Sequence, residues 1–337
     1  MNKLGLVAVL AVLACVSPAG WAEGRITGVQ DVVLPNWWKL SFLDLKEDAG
    51  EAADADKHLI LFFHLEGCPY CAKMAAENFS TSPYVDFLKK NFDVVDLDSR
   101  GAREVITPDG RIVTERAYAR ELEVFYTPSI LFLNGNADVV LRVDGYRPDE
   151  QFEPLVRYVA ENAYERESAD AYILNWRARQ RGGHTLAAHP LFVDAQDLTR
   201  LTDRPVMLVF EDSGCTTCPD FHKDYLDDDF TRSIIDGVHV VRWDAASDES
   251  VIDYSGAQTT PRALAETLGV RYRPGLVFID GDRVIHIIDS HVVLYHFHAG
   301  LDYIASGAFR TMSRREFGSI FRERYLKQRD VDYSIEG

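Results

Sequence analysis

The chain has 337 residues, 47% hydrophobic and 26% charged. It is too apolar for disorder and, at about 150 residues per domain, long enough for two domains. Its 36 Lys and Arg stand against 53 Asp and Glu, a net charge of -17. That excess argues against a nucleic-acid partner or a polybasic membrane mode, and the only long apolar run is N-terminal, which excludes a multi-span membrane protein.

That run reads as a secretory signal over residues 1–22: Lys3, the apolar stretch Leu4 to Ala14, and a small-x-small cleavage site at Gly20-Trp21-Ala22 before Glu23. Cys15 offers the alternative of a lipoprotein anchor, although Leu13 fits that box poorly. Either route takes the mature protein out of the cytoplasm. Trp37-Trp38 is expected to plug the N-terminal arm onto the domain that follows.

Next come a predicted helix over Ser41 to Ala55 and a buried strand over His58 to His64, which leads through Leu65-Glu66-Gly67 into Cys68-Pro69-Tyr70-Cys71. A helix starts at that pair and runs through Met74 to Glu77, with Pro69 in its first turn, where a missing N–H costs nothing. Phe92 to Leu97 reads as the next strand. Ser99 to Thr114 is an insertion with a hairpin turn at Pro108-Asp109-Gly110, and a short helix ends near Glu121. After Thr127-Pro128 the runs Ser129 to Leu133 and Val139 to Val143 form a hairpin. A helix over Asp149 to Ala163 turns Phe152, Leu155, Val156 and Val159 to one face. Arg166 to Arg179 continues as a helical connector, and Arg181-Gly182-Gly183-His184 marks the boundary.

The same order then repeats. Pro205 to Phe210 leads into Cys215-Thr216-Thr217-Cys218, Val238 to Trp243 is the next strand, and Leu268 to Pro274 matches Leu122 to Pro128. Cys68 to Pro128 spans 60 positions and Cys215 to Pro274 spans 59, while Gly110, Thr114, Arg116 and Ala117 match Gly256, Thr260, Arg262 and Ala263 at a constant offset of 146. A terminal helix over Arg314 to Gln328 is expected to turn Phe317, Ile320, Phe321 and Tyr325 inward.

Five cysteines are present, and signal cleavage before Glu23 removes Cys15, leaving two C-x-x-C pairs. A two-residue gap brings both sulfurs within bonding reach across one helical turn, and a helix N-terminus favours thiolate at the first cysteine. Cys68 is therefore the expected attacking thiolate and Cys71 the resolving thiol. Pro128 is expected as a cis peptide opposite the pair, with the backbone of Thr127 free to pair with a substrate strand. A structural disulfide, or a zinc ion joining the two pairs, is the competing reading. At the second pair, Cys215 and Cys218, Thr216-Thr217 lacks a proline, and Arg273 replaces threonine before Pro274, so redox activity competes with a packing role. Glu66 reads as a solvated carboxylate with a proton-moving alternative. His286, His291, His296 and His298 invite a metal reading, against satisfied histidines on alternating strand positions.

Strand, C-x-x-C, helix and distant proline together form a thioredoxin-like arrangement. Trp38 to Tyr158 resembles the SoxW-type thioredoxin-like proteins through Ser41-Phe-Leu-Asp-Leu, Glu-Gly-Cys68-Pro-Tyr-Cys71, Glu77-Asn-Phe, Tyr126-Thr-Pro128 and Gly145-Tyr146. The second copy is similar to a more diverged relative of the same fold. The chain departs from ordinary thioredoxin at Gly67, where tryptophan is usual, and at Phe62 and Val209, where a buried aspartate is usual. The resemblance implies an α/β protein with two tandem thioredoxin-like domains over residues 23–180 and 181–337, each a central mixed β-sheet flanked by helices. It also implies a periplasmic thiol–disulfide oxidoreductase without cofactor or resident metal, acting on protein thiols and disulfides and fed by a membrane electron-donor protein. Cys68, Cys71, Cys215 and Cys218 are its expected catalytic residues, and Pro69, Tyr70, Thr127, Pro128, Arg273 and Pro274 its substrate-facing ones. Disulfide donation or isomerisation runs through the same residues, and a metallochaperone role for the second domain is the reading of a different class.

Overall fold

The computed structural model describes residues 26–180 and 186–332. The expected signal segment and the boundary at Arg181 to His184 lie outside the described residues.

The first domain is built on a four-stranded sheet in the order β3-β2-β6-β7. Strand β2 (His58–His64) runs parallel to β3 (Phe92–Asp98) and antiparallel to β6 (Ser129–Leu133), which pairs antiparallel with β7 (Val139–Asp144). Five consecutive residues of β2 are buried, because helices cover both faces of the sheet. Ile60 and Phe62 point into one core with Met74, Phe79, Phe132 and Phe152, while Leu59, Leu61 and Phe63 point into another with Leu45, Leu97 and Leu131. Each buried Phe contributes about 2 to 3 kcal/mol by the area it removes from water.

Helices α2 (Pro69–Ala76), α3 (Val85–Asn91) and α5 (Asp149–Ala160) flank the sheet with α1 (Leu45–Asp54) and α4 (Glu115–Glu121), and the insertion forms the expected hairpin, β4 (Glu104–Ile106) with β5 (Ile112–Thr114). Helix α1 starts at Leu45 rather than Ser41, because Asp44 caps it by accepting the Glu47 N–H and Ser41 turns back to donate to Asp48. Trp38 packs on Phe62 and Phe79, and the Trp37 indole donates to the Phe79 carbonyl at 2.8 Å, so the arm is plugged into the core as expected.

Helix α6 (Ala169–Gln180) leads to the second domain, whose sheet has five strands in the order β14-β13-β9-β10-β8. Here β9 (Val206–Glu211) lies between β10 (His239–Asp244), parallel, and β13 (Gly275–Asp280), antiparallel; β14 (Arg283–Ile288) closes one edge and the short β8 (Phe192–Val193) extends the other. Helices α7 (Cys218–Asp220), α8 (Asp229–Ile234), α9 (Pro261–Thr267) and α10 (Leu294–Ala305) flank it, and β11 (Val251–Ile252) pairs with β12 (Gln258–Thr259) where the first domain has its hairpin. In helix α11 (Arg314–Leu326), Phe317, Phe321 and Tyr325 pack against Phe230, whereas Ile320 is 55% exposed. The buried stripe follows an i, i+4, i+8 row, and Ile320 falls off it. The cysteine-proximal histidines do not share a strand: His286 is on β14, His291 in the loop after it, and His296 and His298 on α10. Finally β1 (Ile26–Thr27) pairs in parallel with β15 (Val331–Asp332), joining the arm of the first domain to the tail of the second.

Candidate active site

Pro69 fixes where α2 begins, so Cys68 becomes its N-cap: Cys68 has extended backbone angles and its Sγ accepts the Cys71 N–H at 3.1 Å. An N-cap sulfur receives unpaired helix N–H groups and the positive end of the dipole, which is the setting that holds a thiolate. Cys68 and Cys71 are disulfide-bonded with Cα atoms 5.3 Å apart. Cys71 is fully buried, and Cys68, 8% exposed, borders a cleft of about 780 Å³. The Thr127–Pro128 bond is cis, the Thr127 carbonyl lies 3.6 Å from Cys68 Sγ, and the Thr127 hydroxyl donates to that sulfur at 3.5 Å. Gly67 has a φ of +73°, and a Cβ there would sit 2.7 Å from Val29, so the glycine lets the N-terminal arm cross beside the pair where a large side chain would exclude it. Glu66 is exposed.

The second pair is built differently. Cys215 and Cys218 are disulfide-bonded, with Cα atoms 5.6 Å apart, and the Arg273–Pro274 bond is also cis. The helix, however, begins at Cys218. Pro69 follows the first cysteine of its pair, whereas Pro219 follows the second, and proline sets the first helical turn in each case. Cys215 therefore lies a turn outside the helix and gains no cap hydrogen bond; its sulfur is 3.7 Å from the Thr217 hydroxyl oxygen. The position of Pro219 was the sequence signal for this difference.

The cleft beside Cys68 lies between the domains. Its near wall includes Pro69, Tyr70, Tyr126, Thr127 and Tyr146; its far wall is the segment from His286 to Val293 with Arg314. Tyr70 stacks on Tyr146 with ring centroids 5.7 Å apart, and His291 packs edge-on to both. Among the substrate-facing candidates, the structure brings Pro69, Tyr70 and Thr127 to the cleft beside Cys68, and Pro128 follows Thr127 through the cis bond. Arg273 is placed otherwise: the residue is 4% exposed and its Nε donates to Asp212 at 3.0 Å. Asp212 also binds Arg177 of α6 at 3.0 Å. Burial alone would raise the Asp212 pKa, but the two guanidinium groups hold it below the usual range. Neither this network nor Gln151, which bonds the Arg273 backbone, was found from sequence.

No group of three or more His, Cys, Asp or Glu among the described residues is arranged to hold a metal ion. His286 stacks on Phe278 and is bonded by Arg314, and His298 bonds Tyr325 and Thr231. Among the described residues, no helix is long and apolar enough to cross a membrane.

Burial among Tyr70, Tyr146, Tyr225 and Tyr272, with Lys73 nearby, pushes the His291 pKa down to about 4. An unfolded histidine titrates near 6.5, so the unfolded chain takes the proton first as pH falls. The stability His291 contributes is complete above about 6.5 and is lost as pH falls to about 4, by roughly 2 kcal/mol once its partial exposure is allowed for. Thermal melts at pH 7 and 4.5 should show the wild type losing several degrees more than His291→Phe; equal losses would contradict this.

A model of the thioredoxin-like domain matches residues 45–160 and again 192–302. No curated protein matches the chain. Among solved structures, a thioredoxin-fold protein from Helicobacter pylori is 21% identical, covering 41% of this chain and 90% of its own, with a TM-score of 0.33. A thioredoxin from Thermus thermophilus is 26% identical over 41% of this chain and 87% of its own, with a TM-score of 0.27. A domain of an alkylhydroperoxide reductase from Enterococcus faecalis is 13% identical, covering 76% and 97%, with a TM-score of 0.28.

Proposed function

Because the chain belongs to the thioredoxin-like domain family, through two copies that together span more than half of it, we propose that it is an exported dithiol reductant of protein disulfides, acting through Cys68 and Cys71. The observation that carries this reading is Cys68 as N-cap of α2, in contact with the Thr127 backbone at the edge of an open cleft.

The reaction follows from that placement. The reduced Cys68 thiolate attacks one sulfur of a substrate disulfide, forming a mixed disulfide and releasing the other substrate sulfur as thiolate. Cys71, one turn along the helix, then attacks Cys68; the substrate leaves with both sulfurs reduced, and the pair is left as the disulfide seen here. Thr127 supports the first step by offering main-chain hydrogen bonds to an extended segment, the recognition mode of strand addition. Two electrons must then return to the pair. The SoxW-type stretches of the first copy and the leader-like sequence over residues 1–22 support a periplasmic setting with a membrane electron donor.

The equilibrium reduction potential of Cys68/Cys71, measured with Cys215 and Cys218 changed to serine, tests the direction. A value near about -270 mV is expected of a reductant. A value near about -120 mV would make the protein a disulfide donor and overturn the reading.

A further inference from the structure

The two docking loops of this chain face different surroundings. Thr127, before the first cis proline, borders the open cleft, and among the described residues no side chain bonds its backbone apart from the contact with Cys68. Arg273 holds the same place in the second domain, and there the backbone is already engaged. Its N–H donates to the Gln151 Oε1 at 3.2 Å, and its carbonyl accepts from the Gln151 Nε2 at 3.1 Å. A primary amide carries a donor and an acceptor side by side, as a peptide unit does. Gln151, from helix α5 of the first domain, thus makes on the Arg273 loop the pair of bonds that an added strand would make. Neighbouring contacts close the same face: the Thr217 hydroxyl donates to the Arg273 carbonyl at 2.7 Å, and the Thr216 hydroxyl donates to Glu150 at 2.6 Å. Gln151 is 7% exposed, so it stays on the loop unless the domains part.

We propose that Gln151 is the residue that decides which of the two pairs accepts a polypeptide: it occupies the backbone-docking loop of the second site in place of a substrate strand, so that a polypeptide disulfide meets only Cys68. The second pair stays open to small disulfides, which need no strand pairing. In either case the exchange is the same. Cys215 thiolate attacks a disulfide sulfur and expels the other as thiolate, Cys218 resolves the mixed disulfide, and the pair is oxidised by two electrons as the substrate is reduced. This rests on the reading of the chain as a polypeptide oxidoreductase, but the two fail separately, because the test uses the second pair alone.

The full chain carrying Cys68→Ser and Cys71→Ser is reduced with dithiothreitol and freed of it. It is then mixed with either a disulfide-linked peptide or hydroxyethyl disulfide, and the readout is the ratio of the two oxidation rates. With Gln151 present, the ratio should be at least about tenfold lower than that of the first pair measured in a Cys215→Ser/Cys218→Ser chain, as the loss of two docking hydrogen bonds implies. Gln151→Ala should raise the second pair's ratio by about tenfold. Gln151→Met, which keeps the volume without the amide, should raise it too and guards against a folding defect in the alanine variant. An unchanged ratio in a folded Gln151 variant, or a second pair that already matches the first, overturns the proposal. Failure of the first pair to reduce the peptide while the Gln151 effect persists would instead overturn the function proposed above.

Discussion

Cys68→Ser is expected to abolish disulfide exchange with polypeptides, by on the order of 10³-fold or more, while Cys71→Ser accumulates a mixed disulfide through Cys68. The asymmetry follows from the structure. Cys68 is the N-cap sulfur, bonded by the Cys71 N–H and bordering the cleft, so it is the sulfur expected to be held as thiolate once reduced and to meet a substrate. Cys71 has no exposed surface, so it is expected to act only on a sulfur already delivered to Cys68. Release of peptide thiols after pre-reduction measures the first effect, and non-reducing gels measure the second. Trapping through Cys71 in a Cys68→Ser chain would reverse the assignment.

The largest structural effect is expected at Asp212. Its carboxylate, 3% exposed, takes Nη1 of Arg177 and Nε of Arg273 at 3.0 Å each. Burial pushes the Arg177 pKa down to about 10, the cost of holding a cation away from water. Asp212→Asn keeps the shape but leaves two buried guanidinium groups without a counter-charge, a loss of about 3 to 5 kcal/mol. Since Arg177 belongs to the connecting helix and also donates to the Arg271 carbonyl, the loss is shared between the second domain and its attachment to the first. Urea unfolding should show the drop, and Arg177→Met added to Asp212→Asn should recover part of it, because the two sites are coupled. A loss below about 1 kcal/mol would mean that water or another anion already satisfies these cations.

Much of this architecture could be read from the residues in order. Strands such as His58–His64 and Ser129–Leu133 are unbroken apolar runs, and a strand covered on both faces has no other way to appear. The turn at Pro108-Asp109-Gly110 and the helix start at Pro69 are set by local backbone chemistry, so they also showed. What escaped depends on contacts distant in sequence. Gln151 meets Arg273 across 122 positions, and on α5 it is one polar residue beside an apolar stripe, with nothing local to mark it. The exposure of Ile320 escaped because helical period alone does not say how wide the buried stripe is. The late helix at Cys218 was different: Pro219 carried that information in plain view.

The pairing of Ile26 with Val331 and of Thr27 with Asp332 turns a string of two domains into a closed linkage. Two bodies joined at one hinge can swing freely, whereas a second tie makes every swing strain the far joint. Here the tie runs through the arm that carries Val29 past Gly67 at the rim of the cleft. Parting the domains would therefore have to break this ladder as well as the Arg147–Asp289 and Gln151–Arg273 bonds between them. The ladder thus ties the arm at the rim of the cleft to the tail of the second domain.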